Sequence, residues 1–529
     1  MASVNAIKVR NLRSFCSEKD FVPIKDINIL VGKNSSGKST FARVFPLLRQ
    51  SMEEKTKGPV LWFGNYVDFG DFSSSVNCNI PDGEKEIFFD FDLDVDLEKE
   101  VVTDYYDYAS SVFMDFDLDR DLVSLPLQFS LGVVNHGNIT SASYMGVSSG
   151  DCKVELRFSG FDVCGFKAFN VKHGYEVSFK EEYRALNSIF FPRVLSADAM
   201  KSNKFKLLPT RNLPEVRHKF QRFLLDYHHK SKKESTVAGV VSKVRVGGRE
   251  DVYSYLLKSF SSDKQFLKNL VGKEEYVRDI SYLYSFCMHF QKIVDSANSA
   301  LREFFLGVRY LGPVRASAER FYRYQDLQVN EIDHLGANLP MVINSLTESQ
   351  KYRLKLWMEE SFGFSLQLSG GGSHYALLIK EEGSETPFNI SDMGFGYSQI
   401  LPVVVSVWLE KEDIVDRVGY GFSRNHPQSV IVIEQPELHL HPLLQYRFAH
   451  AIAKLSASGG EKKIKFLFET HSKHIIDAFG DSVSNGLISD DDVNITIFDK
   501  EVGGSTKVVR SGYDAEGYLM NWPAGFLSA

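Results

Sequence analysis

Cysteine is scarce in this chain: five residues in 529 (Cys16, Cys78, Cys152, Cys164 and Cys287), none of them in a C-x-x-C pair. So few and so scattered, they build neither a disulfide framework nor a thiolate zinc site. No apolar run approaches the roughly 20 residues that span a bilayer, and the N-terminus lacks a signal peptide's apolar stretch. Both absences argue against a membrane and for a cytoplasmic chain. Sustained heptads are missing as well, which excludes a long coiled-coil arm. Positive charge is not in excess either, the formal net being −7. What remains, 43% hydrophobic and 24% charged residues, is the composition of a globular protein. The length suits several domains, or one head split by an insertion.

Two motifs carry chemistry. Gly32-Lys33-Asn34-Ser35-Ser36-Gly37-Lys38-Ser39-Thr40 has the form G-x-x-x-x-G-K-S and follows the apolar run Ile27 to Val31. A strand, a Gly-rich turn and a helix opening are the context of a phosphate-binding loop. Asn34, Ser35, Gly37 and Thr40 belong to the turn whose amides would cradle phosphates. Lys38 would reach the outer ones, and the Ser39 hydroxyl would ligate Mg²⁺. Far downstream, Ser429 to Pro442 reads SVIVIEQPELHLHP. The β-branched run Val430 to Ile433 fits a buried parallel strand. It delivers Glu434 to the strand's carboxyl end, where open α/β sheets bind ligands. Glu434 is the candidate acidic partner of the cation, directly or through water.

Together these residues resemble the ABC-type ATPases of the SMC, RecF and OLD kind. IEQPELHLHP is similar to the Walker B and D-loop segment of OLD-like ATPases, and Phe468-Glu469-Thr470-His471-Ser472 to their switch-histidine segment. IKVRNLRSF (Ile7 to Phe15), YLGPVRA (Tyr310 to Ala316), SDMGFGYSQILP (Ser391 to Pro402) and NWPAGF (Asn521 to Phe526) resemble a subgroup that ends in a small uncharacterised domain. ATPase subunits of Septu-like and retron-associated antiphage systems are of this type. The resemblance covers both ends of the chain and leaves roughly 200 to 305 aside. It implies an α/β fold: an ABC-type head with a parallel core sheet, an antiparallel β subdomain and a helical insertion. It also implies ATP and Mg²⁺ as cofactors, with His471 near the γ-phosphate. Ser391, Gly394, Gly396 and Ser398 would form a signature-like turn, in a homodimer that sandwiches ATP between two heads. ABC ATPases generally follow the Walker B carboxylate with a glutamate that polarises water. Here Gln435 stands in that place, with Glu437 and His471 as substitutes, which implies slow hydrolysis. Only 58 residues follow His471, too few for a TOPRIM nuclease domain of ordinary domain size. A separately encoded effector nuclease or other toxin is therefore the implied partner.

The expected organisation is residues 1–200 as the first half of the head, 201–305 as a basic helical insertion, and 306–529 as the second half. Between 81 and 121 lie fifteen acids and three bases. Phe89 to Leu97 alternate there with Asp90, Asp92, Asp94, Asp96 and Glu98, predicting a strand with an apolar face and a solvated acidic face. Asp115, Asp117 and Asp119 repeat the acid spacing, but no EF-hand glycine and glutamate accompany it.

From 201 to 249 thirteen Lys and Arg face three acids. Ser231 to Glu250 reads as a mobile basic loop, followed by one helix from Glu274 to Phe305. Three readings of this charge stay open: nucleic acid bound through its phosphates, an acidic protein partner, or plain solvation. Phe205, Phe220, Phe223 and Tyr227 have the spacing of core residues more than of base-stacking platforms. The turn from Ser391 to Gln399 serves either as a cap on a partner's γ-phosphate or only as a bend before the helix Ile400 to Leu409. Arg315 and Arg320 either touch phosphates or brace the fold. Glu437, His439 and His441 read as a dimer-facing D-loop and not as a metal cluster.

Overall fold

The computed structural model describes residues 3–16, 20–98, 122–137, 139–179, 183–186, 190–196, 213–323, 329, 331–371, 373–412, 428–459, 462–500 and 504–523. Asp115, Asp117, Asp119, Phe205 and the basic stretch 201–212 lie outside them. The chain divides into two compact units, one of residues 1–12, 54–61 and 72–302, the other of 13–53, 62–71 and 303–529.

The second unit is built on a seven-stranded sheet. Its order is Val308–Leu311, Gln428–Glu434, Lys463–Glu469, Ile27–Gly32, Val493–Lys500, Thr506–Tyr513 and Leu519–Met520. The first five strands are parallel and the last two antiparallel. Continuous apolar runs make this possible, because a parallel sheet is covered on both faces and rewards strands that do not alternate. Val430 to Ile433 are each fully buried. The helices Lys38–Glu53, Gly394–Lys411, Pro442–Ala457 and Lys473–Ser484 belong to the same unit. Pro46 sits inside the first of them without ending it. Buried charge ties the sheet to its surroundings: Glu410 accepts from Arg309 at 2.6 Å, Lys462 at 2.8 Å and Ser429 at 2.7 Å. Each oxygen of that carboxylate is satisfied, the condition under which a buried ion is tolerated. A small antiparallel sheet of Tyr322–Arg323, Phe364–Gly371, His374–Glu381 and Phe388–Asn389 completes the unit.

The first unit is an antiparallel sheet with helices. Ile87–Glu98 alternates as expected: Phe89, Phe91, Leu93 and Val95 are fully buried. Asp90 departs from the expected solvated face. It is buried, because Arg10 on the neighbouring strand grips it through two bonds of 2.7 and 2.9 Å. The helical segment also differs in detail from the expectation. Ser231 to Glu250 is not all loop: Glu234–Val241 is a helix whose Val237 and Val241, four residues apart, are both fully buried. Apolar spacing at i, i+4 outweighed the small residues and glycines around it. The single helix over 274–305 is two, Glu274–Met288 and Phe290–Leu306, parted at His289, whose ring bonds the Val244 carbonyl. Phe220 stacks on Tyr284 at 5.2 Å and Phe223 meets Tyr227 at 5.5 Å, so these rings serve the core. No helix among the described residues is long and apolar enough to cross a membrane.

Candidate nucleotide site

The parallel strands of the second unit end together. Gly32, Glu434, Glu469 and Lys500 are the last residues of four of them. A cavity of about 590 Å³ opens at this edge, lined by Arg13, Ser14, Asn34 to Thr40, Gln435, Glu469, His471 and Lys500. The phosphate loop is shaped by close backbone approaches. A Cβ on Gly32 would stand 2.3 Å from the Phe498 carbonyl oxygen. Gly37 has φ +103°, and a Cβ there would meet Thr506 Oγ1 at 2.8 Å and Ser14 Oγ at 2.9 Å. Only glycine fits both places. The loop then feeds the amino end of the 16-residue helix Lys38–Glu53. Unpaired amides and the helix dipole favour an anion at such an end.

Lys38 is almost wholly buried, and its ammonium donates to the carbonyls of Gly32 at 2.9 Å and Lys33 at 2.8 Å. Burial lowers its pKa, against the opposing pull of Glu469, whose Oε1 lies 3.9 Å away. The Ser39 hydroxyl donates to that same Glu469 oxygen at 2.9 Å. Glu469 is buried, its Oε2 has no hydrogen-bond partner, and burial together with the nearby Glu434 pushes its carboxyl up to about 7. Along the sequence Glu469 stands only as one residue of the switch-like segment, with no role expected of it. Its place one residue before Thr470-His471, at the end of an apolar run, was the signal available.

Glu434 is equally buried but differently engaged. Arg43 grips it through two bonds, 2.7 Å to Oε1 and 2.8 Å to Oε2, and the Tyr310 hydroxyl donates to Oε1 at 2.7 Å. The bond to Glu434 raises the Arg43 pKa, and burial beside that carboxylate raises the Tyr310 pKa. Neither Arg43 nor Tyr310 was singled out as a site residue from the sequence. Arg13 was missed as well: it lines the cavity with φ +49° and lies over the Phe69 ring at 4.2 Å.

Gln435 follows with φ +46°, its amide bonded to the Glu469 carbonyl at 2.8 Å. A non-glycine residue in the left-handed region costs of order 1 kcal/mol and persists where the surroundings enforce it. Here the conformation belongs to a residue that lines the cavity. Glu437 does not line it. Its carboxylate accepts from Thr470 Oγ1 at 2.9 Å and from the His471 amide at 2.7 Å, and burial raises its pKa. It therefore acts as a brace for the segment that carries His471. His471 lines the cavity, and burial with the nearby Lys38 lowers its pKa, favouring the neutral ring.

The signature-like residues do not line this cavity. The expected turn from Ser391 to Gln399 is shorter, because the helix begins at Gly394 and not at Ile400. Ser391 donates to Asn389 at 2.8 Å, and Ser398, inside the helix, donates back to the Phe395 carbonyl at 2.8 Å. Gly394 has φ +69° and opens the helix. Gly396 packs against the backbone at His439: a Cβ there would come within 2.8 Å of the His439 carbonyl oxygen. The Phe395 and His439 rings lie 5.7 Å apart. Arg315 is buried and donates to the carbonyls of Gln399 and Glu434, a bracing role, whereas Arg320 pairs with Asp392 at the surface. Among the described residues no cluster of three His, Cys, Asp or Glu is placed to hold a metal by itself.

The cavity suits a nucleoside triphosphate. Two glycines clear space for phosphates, a helix end and Lys38 supply positive potential, and the Ser39 hydroxyl with a half-satisfied carboxylate offers oxygen ligands of the kind a hard divalent cation takes. Bound ATP would bring the phosphate chain that these groups address, and Mg²⁺ would supply the charge to offset it.

Residues 314–476 match the family model described as an AAA ATPase domain. No curated protein matches the chain. Solved structures that resemble it include an Smc head bound to the C-winged helix domain of ScpA, with 11% identity, TM-score 0.34, 96% of this chain and 97% of that one covered. Another is an Smc head domain with a coiled coil and joint derived from Pyrococcus yayanosii, with 12% identity, TM-score 0.33 and 98% of each chain covered. A third is the SMC head domain from Thermotoga maritima, with 9% identity, TM-score 0.33, 96% of this chain and 98% of that one covered. Over the segment that carries Glu434, Gln435, Glu469 and His471, then, the chain is similar to AAA ATPase domains.

Proposed function

We propose that the chain binds ATP with Mg²⁺ and hydrolyses it slowly, as an ABC-type clamp ATPase of the SMC, RecF and OLD-like kind. The observation that carries this reading is one cavity lined at once by the phosphate loop, Gln435, Glu469 and His471, residues drawn from three separate stretches of the chain. This reading keeps residues 1–200 and 306–529 as the head and 201–305 as the insertion, whereas the compact units divide the chain differently and group 72–302 together. Two copies pair head to head. The cavity of one faces Ser391, Gly394, Gly396 and Ser398 of the other, and the packing of Gly396 on the D-loop carbonyl of His439 supports a common surface for those two segments.

The narrower role we propose is that of sensor or regulatory subunit in a prokaryotic antiphage complex, with a separately encoded effector nuclease or toxin. It rests on the resemblance of the sequence motifs. A repair clamp acting on DNA ends or gaps, or a scaffold that binds ATP without hydrolysing it, would use the same cavity. An HNH nuclease or reverse transcriptase gene beside this one supports the defence role, and its absence there favours repair.

Calorimetric titration tests the nucleotide reading. Lys38→Ala removes a charge-assisted contact of about 1.5–3 kcal/mol, so ATP affinity is expected to fall about tenfold to a hundredfold. Unchanged affinity in that variant refutes the assignment. Phosphate release above background by the wild type separates an ATPase from a scaffold.

A further inference from the structure

Two carboxylates end neighbouring strands beside the phosphate loop, and they are not equivalent. Lys463–Glu469 lies between Gln428–Glu434 and Ile27–Gly32 in the sheet, with Glu469 in register with Glu434 on one side and Leu30 on the other. Adjacent strands are about 4.8 Å apart, so Glu469 stands one strand from the phosphate-loop strand and Glu434 stands two, roughly 10 Å. Both oxygens of Glu434 are taken, by Arg43 and Tyr310. Glu469 has one oxygen on the Ser39 hydroxyl and the other buried without a partner. A buried carboxylate oxygen left unpaired is unfavourable unless something else completes it. The hydroxyl that a phosphate-loop motif commits to the cation is thus joined to Glu469 and not to Glu434.

We propose that Glu469, with Ser39, is the protein's oxygen pair for the divalent cation that accompanies the nucleotide, and that Glu434 serves as the anchor for Arg43 and Tyr310. The inference rests on the nucleotide reading above. It departs from the expectation that the Walker B carboxylate partners the metal. It also gives a partner to the Glu469 Oε2 oxygen, which is buried without one while Oε1 is held by Ser39 and lies 3.9 Å from Lys38.

The test is a titration of the full chain with Mn²⁺, read by the electron paramagnetic resonance of the free ion, with a non-hydrolysable ATP analogue kept below the protein concentration so that no free analogue chelates the ion. Glu469→Gln is expected to weaken Mn²⁺ binding by at least about tenfold, the scale reached even by losing an outer partner of a metal site. Glu434→Gln is expected to change it by less than about threefold, under half of one tenfold step in free energy. Binding of the analogue in EDTA by Glu469→Gln should be as tight as wild type or tighter, because a negative charge has left the neighbourhood of the phosphates. Glu469→Asp keeps the charge one methylene farther back and should show an intermediate loss of Mn²⁺. It decides the matter should the Gln variant fail to fold. A large loss in Glu434→Gln with none in Glu469→Gln overturns the proposal, as do equal losses in both. A wild-type chain that binds no analogue at all refutes the nucleotide reading and this inference with it. Binding of the analogue with Mn²⁺ affinity indifferent to Glu469 refutes this inference alone.

Discussion

Replacing Glu469 by glutamine should stabilise the free protein at alkaline pH and do little in acid. In the folded chain burial and Glu434 push this carboxyl up to about 7, against an ordinary value of 4.5. Between those values the folded state holds a proton that the unfolded state has released, so stability falls as pH rises through this window and stays low above it. At 1.36 kcal/mol per pKa unit, the shift costs about 3 kcal/mol at pH 8 and about 1 kcal/mol at pH 5. Glutamine has the same shape and no charge, and its carbonyl can still accept from Ser39. Whatever its amide loses or gains in packing is the same at both pH values. The gain over wild type should therefore be larger at pH 8 than at pH 5 by about 2.5 kcal/mol. Urea unfolding in EDTA, followed by tryptophan fluorescence, measures it. All four tryptophans, Trp62, Trp357, Trp408 and Trp522, lie in the unit that holds the cavity, so the signal reports on that unit. A stability difference between the two proteins that is equal at pH 5 and pH 8, or greater at pH 5, refutes the reasoning. Such a penalty, kept in a folded protein, is what a carboxylate held ready for a cation would impose on the empty site.

Two more outcomes follow from the same geometry and charge. Gln435 can orient a water but cannot take its proton, and general-base assistance is worth about 10²–10⁴ in rate. Gln435→Glu should raise steady-state phosphate release at least several-fold with little change in ATP affinity, and a wild type already turning over at tens per second, an ordinary enzyme rate, would refute the slow-clamp reading. In the helical segment Lys230 and Lys233 are exposed, whereas Lys232 is engaged by Asp263 at 2.8 Å. If these lysines meet nucleic-acid phosphates, Lys230→Glu with Lys233→Glu should flatten the salt dependence of DNA or RNA binding by about the two contacts removed. No binding by the wild type at low salt would assign the charge to a protein partner or to solvent.

Local pattern alone determined much of this protein. The phosphate loop, the buried strand before Glu434 and the alternating strand from Ile87 to Glu98 were legible because each is a short-range rule: glycine spacing, continuous apolarity, period two. The brace by Glu437, the grip of Arg43 and Tyr310 on Glu434, and the burial of Asp90 by Arg10 were not. Each joins residues far apart in sequence, and only the order of strands in a sheet brings them together. Helix limits went astray where local composition and packing disagreed, at Val237 and Val241 among glycines and small residues and at His289 inside an amphipathic run. The largest difference concerns two glutamates that read alike along the chain, each ending an apolar strand. Sheet order places Glu469 next to the phosphate-loop strand and Glu434 one strand farther away, beside an arginine and a tyrosine that occupy its oxygens. Sequence can place a carboxylate at a strand's end, but which neighbour reaches it is settled by the pairing of strands hundreds of residues apart.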